Sequence, residues 1–273
     1  MPAIEDLTLE IDGQRNRCLW RDGVGTPTLY VHGNPTSSEE WVPFLQRHRG
    51  GPAFAIDLPG WGRSRLPEGG GLAPTMQGLS DYVDRCLDQL RIERHNLVVH
   101  DWGAVALIGA QAHPERVRRL VVIDAVPLLP SFRWHWVGRI WRRRPWGEIA
   151  NATTTKLSMA LVLRRARGNR RPMPREFLEM IWRHWPRGTN PAVLRLYRDG
   201  DPDRLAAAGA ALDRIACPSL VVWGDRDPYL PTRFAHEYGR ALGGAEVEIL
   251  SGAGHWPWID DPSLVERVLD FLD

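Results

Sequence analysis

Four short stretches of the 273-residue chain carry side chains able to make and break bonds: His32-Gly33-Asn34-Pro35, His100-Asp101-Trp102-Gly103, Asp225-Arg226-Asp227 and Gly254-His255-Trp256. Each follows an apolar run that reads as a β-strand. In parallel sheets, ligands sit beyond the carboxyl ends of the strands, so these are the places where reactive groups gather. The order along the chain is a carboxylate, a long insertion, a second carboxylate, then a histidine. That is the layout of a nucleophile, a lid, an orienting acid and a base. Imidazole titrates near neutrality, which suits His255 to activating water. Asp101 also reads as a helix N-cap before Gly103, and His255 as a hydrogen-bonded loop residue.

The elements that must position these groups follow from periodicity. Residues 7–21 read as a hairpin turning at Asp12-Gly13. Apolar runs at 28–33, 53–60, 96–101, 119–126, 219–224 and 245–250 read as strands. Leu79, Tyr82, Val83, Cys86, Leu87 and Leu90 share one face of a helix over 79–92. Residues 103–113, 231–242 and 262–272 also read as helices, and 131–200 as helical pieces cut by prolines. The glycine run 69–71 reads as a loop. Short apolar strands alternating with helices imply an α/β fold, a mostly parallel central sheet with helices on both faces.

Composition is that of a globular protein, 43% hydrophobic and 25% charged. A net charge of +2 points to no nucleic-acid partner. No apolar run reaches the roughly 18 residues of a transmembrane helix, so no membrane partner is expected. The start of the chain shows no secretory pattern. Cys18, Cys86 and Cys217 are far apart and odd in number, which makes a disulfide framework unexpected and the cytoplasm the default compartment. No HExxH, paired cysteines or GxGxxG is present, so neither a metal nor another cofactor is expected. Charge is uneven: residues 133–198 hold sixteen basic residues against three acids and six of the thirteen tryptophans. That segment is a solvated helical insertion, or a basic lid that steers anions or touches an acidic surface.

The motifs HGNP (32–35), HDWG (100–103), GDRDP (224–228) and GHWPW (254–258) together resemble the α/β-hydrolase superfamily over essentially the whole chain. The resemblance implies an α/β-hydrolase core of residues 1–128 and 201–273 with a helical cap at 129–200. The turn at Val99-His100-Asp101-Trp102-Gly103 looks like the superfamily's nucleophile elbow. It holds aspartate with no adjacent serine or cysteine, which disfavours esterases, lipases and peptidases. An aspartate elbow resembles two branches, the epoxide hydrolases and the haloalkane dehalogenases. Both would form an ester on Asp101 that water, activated by His255, hydrolyses. Asp227 best matches the superfamily's acid, and Asp124 matches the place where some dehalogenases carry theirs. Backbone amides of Asn34 and Trp102 would form the oxyanion hole.

The branches differ in the leaving group. An epoxide oxygen needs a proton donor, and epoxide hydrolases use cap tyrosines. Tyr197, followed by Arg198, lies where that family's donor sits, whereas a second cap tyrosine is absent. His135, His184 or a cap tryptophan would have to help. A halide instead needs N–H donors, and HGNPTSS (32–38) resembles the dehalogenase loop, with Asn34 and the Trp102 indole as halide ligands. The expectation is an epoxide hydrolase, the alternative a haloalkane dehalogenase, and a second alternative a non-catalytic binding protein. The substrate would be small, neutral and hydrophobic, and the protein a monomer or homodimer.

Overall fold

A computed structural model describes residues 3–65, 73–185 and 190–273. The glycine run expected as a loop lies outside them. Eight strands form one sheet: β1 (Glu5–Ile11), β2 (Gln14–Arg21), β3 (Thr28–Val31), β4 (Ala53–Ile56), β5 (His95–Asp101), β6 (Val117–Ala125), β7 (Ser219–Gly224) and β8 (Glu246–Leu250). Their spatial order is β1-β2-β4-β3-β5-β6-β7-β8, and only the pairings of β2, with β1 and with β4, are antiparallel. Asp12 and Gly13, both at positive φ, make the two-residue hairpin turn between β1 and β2. The central strands β3, β4, β5 and β7 are buried at every residue, as strands covered on both faces must be.

The helices are α1 (Val42–Arg47), α2 (Met76–Gln89), α3 (Ala106–Ala112), α4 (Trp136–Arg142), α5 (Trp146–Ala152), α6 (Lys156–Arg165), α7 (Arg175–His184), α8 (Asn190–Asp199), α9 (Pro202–Ala208), α10 (Arg233–Ala241), α11 (Pro257–Asp260) and α12 (Leu264–Leu272). The structure differs from expectation at three places. Helix α2 starts earlier because the Thr75 hydroxyl caps it, accepting the Gly78 N–H at 3.1 Å, and a positive φ at Arg91 follows its end. The turn after Asp101 is a tight 3-10 turn, Trp102–Val105, before α3 begins. Helix α9 lies within 201–218, a stretch to which the sequence pattern assigns no element.

Chain direction across the sheet splits between β3 and β5: β3 leads outward to β4, and β5 outward to β6. That is the switch point where a doubly wound sheet opens a crevice. Asn34 follows β3 and Asp101 ends β5, so the two face each other there. Helices α4 to α9 lie between β6 and β7, and α4 to α8 are the inserted helices within residues 129–200.

Candidate functional site

Asp101 ends β5 at φ 48°, ψ −119°, a backbone that L side chains rarely adopt. Such strain costs about 1–3 kcal/mol and is held in place by close packing. Two glycines permit it. A Cβ on Gly33 would run into the Asp101 carboxylate, and one on Gly103 into the Val31 carbonyl. The carboxylate caps no helix end, which removes the N-cap reading. It turns instead toward the Asn34 loop and His255.

Asp101 Oδ1 accepts the Asn34 backbone N–H at 2.7 Å, and Oδ2 lies 3.5 Å from His255 Nε2. On its other side His255 Nδ1 sits 2.7 Å from Asp227 Oδ2. Asp227 is itself fixed by its turn, where Oδ1 accepts the Tyr229 and Leu230 N–H groups at 2.7 and 3.2 Å. Asp124 lies behind this pair, fully buried, and accepts the Gly224 N–H at 3.1 Å. Burial, together with the neighbouring Asp227 charge, raises its carboxyl well above the usual range. These effects favour the neutral form of Asp124 beside Asp227, and the imidazole meets Asp227. Asp124, Asp227 and His255 bring ligand atoms within 4.8 Å of one another. The short hydrogen bond between His255 and Asp227 uses the lone pairs that a cation there would need.

Burial opposes charge on Asp101, but hydrogen bonding to His255, the His255 and His100 rings and the Asn34 amide outweigh it and hold the carboxylate below its ordinary range. Burial likewise opposes the His255 cation, and Asp227 with Asp101 raises it well above the usual imidazole range. The ring thus owes part of its proton affinity to the carboxylate of Asp101. His100 donates from Nε2 to the His255 carbonyl at 2.8 Å, and its Nδ1 is 3.2 Å from buried Glu40. Glu40 also accepts the Trp256 indole N–H at 3.1 Å. His32 accepts the Leu58 N–H on Nε2, so Nδ1 donates to the Gly33 carbonyl at 2.7 Å and braces the loop bearing Asn34. The inserted helices join this frame: the His255 N–H donates to the Ala166 carbonyl at 2.8 Å, and Asp260 accepts both the Gly168 and Gly254 N–H groups at 2.9 Å.

A cavity of about 320 Å³ opens above Asp101 and His255, walled mostly by apolar residues of α4 to α6 and by Asn34, His135, Tyr197 and Tyr229. Tyr197, on α8, packs its ring against Trp102, Trp134 and Trp141 with centroids 5.2, 4.8 and 4.8 Å apart. Its hydroxyl lies within reach of the Trp102 indole and the Asn34 carboxamide. The Asn34 side-chain oxygen is occupied by the Trp61 indole N–H at 3.1 Å, which leaves its NH₂ to turn inward. The Trp102 indole N–H is buried and makes no hydrogen bond of good geometry. Burial and then the Asp101 charge raise Tyr197 well above its ordinary range, so it carries its proton.

His135 caps α4, accepting the Gly138 N–H on Nδ1 at 3.3 Å. Burial pushes this ring down to about 4, so it is neutral and its proton sits on Nε2. His184, the other histidine considered as a helper, does not line the cavity and lies 3.3 Å from Glu39. Sequence reasoning missed Tyr229. Its ring stands edge-on to His255 with centroids 5.2 Å apart and tilts over His135 at 4.8 Å. The signal was its place two residues after Asp227, inside the turn that the carboxylate holds.

The family model described as "Alpha/beta hydrolase family" matches residues 29–268. The chain belongs to this family. A haloalkane dehalogenase of Agrobacterium fabrum is 37% identical over 119 residues, 40% of this chain and 38% of that protein, so the match spans less than half of that relative. Epoxide hydrolase 2 of Caenorhabditis elegans is 25% identical over 274 residues, 90% of this chain and 73% of that one. The crystal structure of haloalkane dehalogenase DbeA from Bradyrhizobium elkani superposes with a TM-score of 0.81 over 99% of this chain and 98% of that one, at 24% identity. At that identity the likeness concerns the fold. As a member of this family the chain is a hydrolase of the α/β fold.

Proposed function

We propose that this hydrolase is an epoxide hydrolase that opens small, neutral, hydrophobic epoxides to vicinal diols, with residues 129–200 acting as the cap over the site. Asp101 Oδ2 attacks a ring carbon, and the C–O bond breaks as its electron pair moves to oxygen. Tyr197 passes its proton to that oxygen, and the His135 Nε2–H is the second donor. The N–H groups of Asn34 and Trp102 face the resulting phenolate until it regains a proton.

Formation of the ester removes the negative charge of Asp101. His255 then loses one of the two carboxylates that raise its proton affinity, gives up its proton to restore the Tyr197 hydroxyl and becomes a base. It takes a proton from a water that attacks the ester carbonyl, while Asp227 holds the ring and stabilises the imidazolium. Oδ1 carries the tetrahedral charge, against the backbone N–H groups of Asn34 and Trp102. One such donor contributes about 2.7–4 kcal/mol to lowering a barrier of this kind. Collapse expels the diol oxygen, which takes the proton from His255, and leaves Asp101 as a carboxyl whose proton then passes to His255, restoring the starting state.

The observation that carries this reading is the Tyr197 hydroxyl, protonated and backed by Trp102 and Asn34, above the Asp101 carboxylate. One observation favours haloalkane dehalogenase activity as the second reading. Among the described residues the buried Trp102 indole N–H makes no hydrogen bond of good geometry and, like the Asn34 carboxamide, reaches toward the Tyr197 hydroxyl, a pair able to receive a halide. A terminal epoxide and a 1-haloalkane assayed side by side decide between them. Diol without halide release is the expected result, and halide release alone would overturn it. With the His255→Phe variant the ester should accumulate as a mass increase on Asp101. No adduct with either substrate would favour a binding protein without turnover.

A further inference from the structure

We propose that the inserted helices dock peripherally on an anionic lipid surface, with the mouth of the cavity facing the lipid. Two properties meet on α5 and α6. Among the described residues, the large apolar side chains left exposed are Val24 and five on these helices and α4: Trp136 at 45%, Trp146 at 60%, Ile149 at 47%, Leu157 at 72% and Leu161 at 57%. Trp146 and Ile149 lie one turn apart on α5, as do Leu157 and Leu161 on α6. The inward sides of the same helices, including Ala150, Met159 and Val162, wall the cavity. These helices are therefore apolar on two sides, an arrangement that calls for a second apolar or interfacial neighbour. The cavity reaches solvent between them, at Thr153 and Ser158, which line it and are exposed.

The charge around this face selects the neighbour. Arg143 and Arg144 precede α5, and Arg164 and Arg165 close α6, all exposed. Among the described residues, Arg143, Arg164 and Arg165 form no ion pair, and Arg144 has only a 3.8 Å contact with exposed Glu148. Residues 133–198 carry about +13 and the rest of the chain about −11. A second copy seated symmetrically on this face would set two strongly cationic surfaces against each other. Nucleic acid would meet the arginines but leave the leucines in water. A bilayer with acidic headgroups neutralises the arginines and takes up the leucines and tryptophan, and it repels the acidic body, which orients the molecule. No described helix is long and apolar enough to cross a membrane, so the contact lies on the surface. This departs from the expectation, drawn from apolar run length, that a membrane plays no part.

The test is co-sedimentation of the full chain with phosphatidylcholine vesicles, with and without phosphatidylglycerol. Binding is expected only with the acidic lipid, weakening about tenfold or more between low and high salt. Leu157→Ser with Leu161→Ser should weaken it about tenfold, and so should Arg164→Glu with Arg165→Glu, in protein whose circular dichroism is unchanged. Arg143→Glu, in the link before α5, is the independent variant should either pair fail to fold. No vesicle binding overturns the proposal, as does binding indifferent to lipid charge or to all three variants. A dimer in analytical ultracentrifugation that the leucine variant dissolves would assign the face to a second copy and equally overturn it.

Discussion

The loops at the strand ends and the inserted helices above them are built on opposite plans. Around Asp101, polar atoms answer one another: Asn34 to Asp101, His255 to Asp227, Asp227 to the Tyr229 and Leu230 amides, and His100 to Glu40. The inserted helices place apolar residues toward the cavity and toward solvent, and their arginines mostly face water. Preorganised polar groups determine which bond can be made, because they need no rearrangement as charge develops. Apolar walls determine which molecule enters, by shape and desolvation alone. On the proposed mechanism the comparison puts nucleophile and base at the sheet, and the substrate's apolar walls, with the proton donors Tyr197 and His135, on the insertion.

The hardest test of that separation is Asp101→Ala. It should abolish turnover of every substrate, at least about 10³-fold, and activity near that of the parent would break the comparison at its centre. In heavy-oxygen water the unmodified carboxylate should acquire label over repeated turnovers. Next comes a contrast between the two neighbouring acids. Asp227→Asn removes the charge facing the imidazole and should slow ester hydrolysis about 10³-fold or more. Asp124→Asn replaces one neutral hydrogen-bonding group by another and should cost less than about tenfold. Reversed losses in single-turnover kinetics would make Asp124 the orienting acid.

Tyr197→Phe carries the test into the insertion. Losing the proton donor should slow epoxide opening about 10²-fold while leaving halide displacement little changed, as read from parallel assays of diol and halide. Acidity sharpens the division of labour further. Asp101 stays ionised below its ordinary range, so ester formation should persist as the pH falls. Ester hydrolysis needs neutral His255 and should fade, so rapid quenching in acid should trap the ester. The smallest effect belongs to Glu39, which bonds Arg17 of β2 at 2.6 Å and His184 of α7 at 3.3 Å and so ties body to insertion. Burial opposes its charge, but these partners bring it down to about 2 from an ordinary 4.5. A depressed carboxyl stabilises the fold fully above its unfolded pKa and loses that contribution as the pH falls toward its folded one. Glu39→Gln should therefore cost about 1 kcal/mol at neutral pH, since solvent screens part of the contact, and almost nothing near pH 2 in urea titrations.

What the sequence revealed follows the same boundary. The strands were legible because buried parallel strands read as unbroken apolar runs, and SLVVWG at 219–224 coincides with β7 residue for residue. The fold and the gathering of a carboxylate at Asp101, a second carboxylate and His255 followed from strand ends and chain order, and the resemblance to the α/β-hydrolase superfamily singled out Asp227 as the second carboxylate. The state of Asp124 was not legible, because neutrality there depends on burial and on a neighbour 103 positions along the chain. Nor was the placement of Tyr229, since its turn looks like any proline-containing loop. The inserted helices were hardest: prolines marked their breaks, but one-dimensional periodicity cannot tell a face turned to a cavity from one turned to water. That is why His135 and His184 looked equivalent although only His135 reaches the cavity.

The bond from the His255 amide to the Ala166 carbonyl, with Asp260 clasping Gly168 and Gly254, makes the end of α6 and the histidine loop one mechanical unit. Any swing of the insertion as a rigid leaf must therefore pivot near this seam, or else drag the imidazole out of register with its two carboxylates. An opening of that kind would confine traffic to the edge remote from the pivot and leave the imidazole in its place.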